Sequence, residues 1–446
     1  LIPERLNWKG RFVVKMEEGE AHLTQAVPNC PNLVQFGRYS KKSIHAKVLS
    51  VENPPDYAVE PRCDVFGACG GCSFQHVSYE TQLQWKKDLF LTELDTLFDR
   101  YPPRQTIFHA AEQKWHYRNK MEFTFLQNRD RERFLGLHEL GQFQKVVNVD
   151  NCAIQLPSMQ EVLSRVQNFL KSSELSCYNP YEHEGVLRHL VLRGSEDSGA
   201  VMVNLVVTEH NEEVQSLLDS LAELVGVESV YWTSNNRVSD AVIFEELHHV
   251  YGSERIIEKV GEYEFEVSPQ SFYQTNSSGM KSLYDIIFHG VESYLSGKKG
   301  KLIDFYCGAG SIGIYLSELF DEVVGVEEVD AAVKDANANL KRNGIQSKFK
   351  FFQGKVEGLL DHPEVFEDAD VLVVDPPRVG CHKKARQLIK SLKVPYLVYV
   401  ACSQKTLAEN IQDFLESGYE LERVELLDLF PQTPHVESVS FLSYRG

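Results

Sequence analysis

"LIDFYCGAGSIGIYL", residues 302–316, carries the chain from an apolar strand through a glycine turn into a helix. Within it Gly308, Gly310 and Gly313 satisfy G-x-G-x-x-G, a spacing that lets bare backbone approach a ligand at the start of a helix. Glu327 closes the following strand candidate, "EVVGVE", where a carboxylate can bind ribose hydroxyls. Taken alone, the turn suits a nicotinamide dinucleotide, S-adenosylmethionine, or a tight turn with no ligand.

Outward from that turn, "KLIDFY", "KFKFFQ", "VLVVD" and "YLVYVAC", with a final "VELLDLF" and "SVSFLSYR" pair, read as strands alternating with helical segments. That alternation predicts a doubly wound α/β sheet, whose ligands gather at the carboxyl ends of the strands. Residues 59–262 mix helices such as "TQLQWKKDLFLTELDTLF" with strands such as "KMEFTFL" and "VMVNLVV", as expected of a middle α+β domain. Residues 1–58 alternate short apolar stretches with polar breaks and predict a small β-barrel, with "ENPPDY" (52–57) as its linker. The expected domains are therefore 1–58, 59–262 and 263–446.

At 446 residues the chain exceeds an ordinary single core. With 43% hydrophobic and 25% charged residues it reads as globular, and no apolar run approaches the roughly 20 residues of a membrane span. No charged-then-apolar signal pattern is visible, so a cytoplasmic location is expected. Nine cysteines in this length are too sparse for a disulfide framework and are expected as thiols. The formal charge of −18 argues against a general polyanion binder. "YRNK" (117–120), "NRDRERF" (128–134), "KKGK" (298–301) and "HKKAR" (382–386) remain as local basic patches or solvated faces.

The chemistry lies in the strand ends. After "VLVV", Asp375-Pro376-Pro377 cannot continue a ladder and projects its acid into the crevice. "YLVYVACSQ" ends in Cys402, and "PQTPHVES" supplies His435 and Glu437. A thiol at a strand's carboxyl end facing a cofactor is a candidate nucleophile, provided its surroundings lower its pKa. Glu437 is its candidate base. A nicotinamide dehydrogenase has no use for that set.

Here the chain resembles the S-adenosylmethionine-dependent RNA (uracil-5-)-methyltransferases that make 5-methyluridine in 23S ribosomal or transfer RNA. The resemblance rests on "SFYQTN", "DFYCGAG", "VVGVE", "DPPR", the cysteine after "YVA", and "PHVES", in that order over nearly the whole chain. It implies a class I Rossmann-like catalytic domain, a TRAM-like or OB-like barrel for RNA binding, and a covalent mechanism. Cys402 would add to C6 of uracil, making C5 nucleophilic, and Glu437 would remove the C5 proton after methylation. Gln274, Tyr306, Ser311, Glu327 and Asp375 would hold the cofactor or orient the base. The family's cysteine motif reads "ACSQ" here, and its adenine-side polar position falls on Gly354 or Lys355. The target base must be flipped out of folded RNA, and Ser271-Phe272-Tyr273 and Phe305 are candidate stacking platforms or core residues.

Cys63, Cys69 and Cys72 follow C-x5-C-x2-C in "CDVFGACGGC", and Cys152 arrives later in "VDNCAIQ". Three clustered cysteines with one distant member suit a four-thiolate iron–sulfur cluster or a four-cysteine zinc site. The resemblance implies the iron–sulfur-containing type of the family, with a [4Fe-4S] cluster stapling the middle domain. The leading expectation is a monomeric ribosomal RNA uridine-C5 methyltransferase. A transfer RNA T-loop enzyme, an RNA-binding protein with a vestigial site and an iron–sulfur oxidoreductase are its alternatives.

Overall fold

The computed structural model describes residues 1–17, 19–40, 43–239, 241–271 and 273–446. Phe272 lies outside the described residues.

The glycine turn sits where its reading placed it, in the middle of an α/β sheet. We number that sheet's strands in chain order: β1 (Gln105–His109), β2 (Gly300–Phe305), β3 (Phe320–Glu327), β4 (Phe349–Gln353), β5 (Val371–Val374), β6 (Tyr396–Ala401), β7 (Tyr419–Leu427) and β8 (Glu437–Tyr444). Their spatial order is β4-β3-β2-β5-β6-β8-β7-β1. β2 through β6 pair in parallel, and β8 enters antiparallel between β6 and β7. That reversal brings the start of β8 to the same edge as the ends of β2, β3, β5 and β6.

Continuous apolar runs form these strands because both faces are covered. Leu302, Val371, Val373 and Val398 face a core shared with the helix Ser277–Leu295. Their chain neighbours Ile303, Leu372, Val374 and Leu397 face the opposite core. That second core is shared with the helices Tyr79–Arg100, Lys383–Leu392 and Gln404–Leu415. The period of two along each strand thus fills two layers at once.

Two segments depart from simple domain order. β1, within the expected middle domain, pairs in parallel with β7 at the edge of the eight-stranded sheet. The expected boundary at 262–263 falls inside the hairpin Ile256–Val260/Tyr263–Val267.

The middle region builds a seven-stranded sheet among the described residues, running in space from Glu246–Gly252 to Gln142–Asn148. Its core includes Phe123, Leu190, Val203 and Leu205 under the helices Gln160–Ser172 and Glu212–Ala222. At the N-terminus, five strands lie in the order Arg5–Leu6, Phe12–Met16, Gly19–Thr24, Ser43–Val51, Asn32–Ser40. Phe12, Val14, Ala21 and Leu23 form its core with Trp85 of the long helix.

The expected closed barrel is not formed. Among the described residues no ladder joins the first strand to Asn32–Ser40. Leu1 and Asn32 exchange reciprocal backbone bonds, each 2.7 Å. The fold is a mixed α/β Rossmann-like domain with additional β-sheets.

The expected iron–sulfur site is also corrected. Cys63, Cys69, Cys72 and Cys152 do line one cavity of about 730 Å³. Yet among the described residues no group of three or more His, Cys, Asp or Glu is arranged to hold a metal ion. Burial pushes the Cys69 thiol up to about 11 and the Cys72 thiol to about 12, and raises Cys63 as well. Cysteine spacing alone does not establish ligation geometry.

Among the described residues no helix is long and apolar enough to cross a membrane.

Candidate active site

The edge where the strands end opens into a cleft of about 1250 Å³, lined among others by Gln274, Tyr306, Glu327, Asp375, Cys402 and Glu437. Six of the seven expected cofactor and catalytic residues are thus brought together from stretches far apart in sequence. Ser311 does not line the cleft; its Oγ lies 2.7 Å from the Tyr284 hydroxyl. Gly354 and Lys355 both line it.

The glycine turn is built for close approach. Tyr306, Gly308 and Gly310 have φ of 62°, 54° and 78°, and a non-glycine residue such as Tyr306 holds that conformation only under surrounding constraint. A side chain at Gly308 would meet open space, nothing within 4 Å. Its N–H donates to Glu327 Oε2 at 3.0 Å, and Val329 N–H donates to Oε1 at 2.9 Å. Those bonds fix the Glu327 carboxylate at the end of β3 beside bare backbone. Open space at the turn, a fixed carboxylate and a cleft above the roughly 300–1,000 Å³ usual for one small ligand fit S-adenosylmethionine with room for a nucleobase.

Behind the turn, Asp304 accepts from Gly313 N–H at 3.1 Å and is 1% exposed. Burial pushes its carboxyl up to about 8. Gln274 is held through its backbone, whose carbonyl accepts from Asn119 Nδ2 at 2.9 Å.

Cys402 and Glu437 meet through sheet register. β6 and β8 pair Ala401 with Ser438, so the next step places Cys402 across from Glu437. Burial raises the Cys402 thiol, and the Glu437 and Asp375 carboxylates add to that rise. The guanidinium of Arg378, hydrogen-bonded to the thiol, opposes it. Glu437 is 3% exposed, and burial followed by Asp375 holds its carboxyl well above the ordinary range. Burial lifts Asp375 to about 6. In the free protein the surroundings of Cys402 raise its thiol and do not lower it, and burial holds Glu437 above the ordinary carboxylate range.

Arg378 is the residue that reasoning from sequence left without a role. It belongs to the quoted "DPPR", and its signal was a cation three residues after an acid that a strand end projects. Beyond it, exposed Trp8 and Lys9, with Arg11 and Arg118, line the same cleft. They form a basic rim on a chain whose formal charge is −18.

Comparison with known proteins agrees with this geometry. A family model described as tRNA (Uracil-5-)-methyltransferase matches residues 78–353 and 364–445. An "Uncharacterized RNA methyltransferase" of Clostridium tetani is 32% identical over 446 residues, 98% of this chain and 95% of the relative. One of the same description from Caldanaerobacter subterraneus is 35% identical over 453 residues, 98% and 97% of the two chains. The crystal structure of Pyrococcus abyssi tRNA (uracil-54, C5)-methyltransferase with S-adenosyl-L-homocysteine superposes with a TM-score of 0.78. It is 25% identical and covers 99% of each chain.

Proposed function

The chain belongs to the tRNA (Uracil-5-)-methyltransferase family, and from that membership we propose that it methylates C5 of a uridine in transfer RNA, with Cys402 as nucleophile and Glu437 as base. It is an S-adenosylmethionine-dependent RNA (uracil-5-)-methyltransferase; the RNA class and the residue roles are the proposal.

The observation that carries the transfer RNA reading is the whole-chain likeness to an enzyme of transfer RNA uracil. The expectation of 23S ribosomal RNA gives way to it, since the family description names transfer RNA too. Residues 263–446 are assigned the chemistry, and 1–58 with 59–262 the RNA.

C5 of uracil is a poor nucleophile until a group adds to C6. Cys402 gives up its thiol proton to solvent, its sulfur bonds to C6 as the C5–C6 double bond opens, and the electron density moves to C5. Bound S-adenosylmethionine supplies an electrophilic methyl for C5 and a positive charge that favours the ionised forms of nearby acids. Glu437, as carboxylate, then takes the C5 proton; the C6–sulfur bond breaks and Cys402 is free again. A general base of this kind contributes roughly 10²–10⁴-fold. Glu327 is suited to ribose hydroxyls, Tyr306 to the cofactor side, and Gln274 and Asp375 to orienting the uracil or the cofactor's methionine end; Ser311, which does not line the cleft, is given no contact with the cofactor.

The test is methyl transfer from labelled S-adenosylmethionine to unmodified transfer and ribosomal RNA in parallel, followed by digestion to nucleosides. Label in 5-methyluridine from transfer RNA is expected. Label from ribosomal RNA alone would overturn the substrate assignment.

A further inference from the structure

The segment leading into Glu437 is clamped from behind by a buried polar network that the chemistry above does not use. Lys86, on the helix Tyr79–Arg100, is 1% exposed and Asp428, just past β7, is 0% exposed. Lys86 Nζ lies 2.5 Å from Asp428 Oδ1. The Tyr79 hydroxyl donates to the other carboxylate oxygen at 2.9 Å.

From there the backbone carbonyls are taken one after another. The Leu429 carbonyl accepts from Asn276 Nδ2 at 2.7 Å, and that of Phe430 from Lys86 Nζ at 3.0 Å. The Pro431 carbonyl accepts from the Tyr117 hydroxyl at 2.9 Å. The Gln432 carbonyl accepts from the N–H groups of Ser73 and Phe74 at 2.8 and 3.1 Å. Gln432 itself has φ of 68°. Its side chain and N–H exchange two bonds with Gln82, of 3.0 and 3.2 Å.

An ordinary loop gives its carbonyls to water. Four consecutive carbonyls drawn by donors from four separate stretches of chain, with a non-glycine residue held at positive φ among them, mark a segment whose position is over-determined. The site gains a fixed base from it. Leu427 pairs with Glu437 in the ladder of β7 and β8, so Asp428 lies one residue beyond the rung that carries the carboxyl.

We propose that Lys86, Gln82 and the backbone of Ser73 and Phe74 are positioning elements that hold residues 428–432 so that Glu437 reaches the C5 proton. The proposal rests on Glu437 as the base. It gives Ser73 and Phe74, directly after the cysteine-rich stretch, a task that needs their backbone alone. Loosening the clamp slows the elimination that frees Cys402, while addition to C6 and methyl uptake continue.

Two lesions test it. Lys86→Met combined with Asp428→Asn removes both charges together, so no unpaired charge stays buried. Gln82→Ala, an uncharged lesion on the same helix face, decides the matter alone should the double variant not fold. Each is compared with Glu437→Gln in steady-state kinetics and on a denaturing gel. The expected result is a kcat about 10²-fold lower with kcat/KM for RNA unchanged, so that KM falls with kcat, and a methylated covalent enzyme–RNA adduct accumulating as it does in Glu437→Gln. An adduct in Glu437→Gln but wild-type kcat and no adduct in the folded network variants overturns the proposal alone. No adduct in Glu437→Gln removes the base assignment and the proposal with it.

Discussion

Cys402 stands across the antiparallel ladder from Glu437, one rung beyond the pair Ala401–Ser438. Residues directly opposite in such a ladder have Cα atoms roughly 4.5–5.5 Å apart. The proposed nucleophile and base are thus set by the register of two strands in the middle of the sheet, with Cys402 directly after the end of β6.

That placement makes the reaction pH-dependent in a defined direction. The thiolate is the reactive form, and burial with Glu437 raises the thiol's pKa while Arg378 opposes. The rate constant kcat/KM for RNA is expected to rise with pH from neutral into the alkaline range. In Arg378→Ala the opposing guanidinium is gone, so the rising limb moves to higher pH, at about tenfold lower rate per unit of displacement. Superimposable profiles for the two proteins would contradict this.

Gly308 separates cofactor binding from folding. Its φ is 54° and a side chain there would meet nothing within 4 Å. Gly308→Ala therefore costs the fold only local strain, about 1–2 kcal/mol, while its methyl group occupies room the cofactor needs. We expect S-adenosylmethionine affinity to fall about tenfold or more, equivalent to about 1.4 kcal/mol, with the melting transition still cooperative. Calorimetric titration checks it, and unchanged affinity would argue against the turn as a cofactor site.

Asp304 imposes a pH dependence on stability. Its folded pKa of about 8 lies above the ordinary value near about 3.9. Between those values the unfolded chain has released a proton that the native protein keeps, so stability declines as pH rises through this window and is fully restored only below it. Asp304→Asn keeps an acceptor for Gly313 N–H and does not ionise. Denaturant melts at pH 5 and pH 8 should show a smaller difference for this variant than for the unaltered protein.

The basic rim gives RNA a reason to approach an acidic chain. Trp8 is 59% exposed and lines the cleft with Lys9, Arg11 and Arg118. Lys9→Ala is expected to weaken transfer RNA binding and reduce the slope of log affinity against log salt by about 0.7–0.9. Trp8→Ala is expected to weaken it about tenfold through lost base stacking. Neither should change S-adenosylmethionine affinity; filter binding at several salt concentrations measures the first effect and calorimetry the second.

The catalytic sheet was legible because its signal is local. "VLVV" and "YLVYVA" are unbroken apolar runs that end abruptly on Asp375 and Cys402, and a buried parallel strand has no other way to look. Where long-range pairing decides, sequence is silent. "QTIFH" (105–109) joins β7 across more than half the chain, and nothing in its own pattern distinguishes a catalytic-sheet edge from a middle-domain strand. Closure of the N-terminal sheet depended on whether the Asn32–Ser40 edge found a partner ladder, which short alternating stretches do not specify. Lys86 and Lys87 are equivalent in "QWKKDLF", yet Lys86 is 1% exposed against Asp428; only the packing of the helix on the loop after β7 tells them apart. The cysteines showed the same gap between residue type and arrangement.

The most direct test of the account is to trap its covalent step. In transfer RNA substituted with 5-fluorouridine the C5 position carries no proton for Glu437 to take, so addition and methylation proceed and elimination stops. With S-adenosylmethionine, the unaltered protein is expected to give an enzyme–RNA complex that survives denaturing electrophoresis and maps by peptide mass to Cys402, and Cys402→Ala is expected to give none. No complex with the unaltered protein, or a complex that persists in Cys402→Ala, would contradict the mechanism.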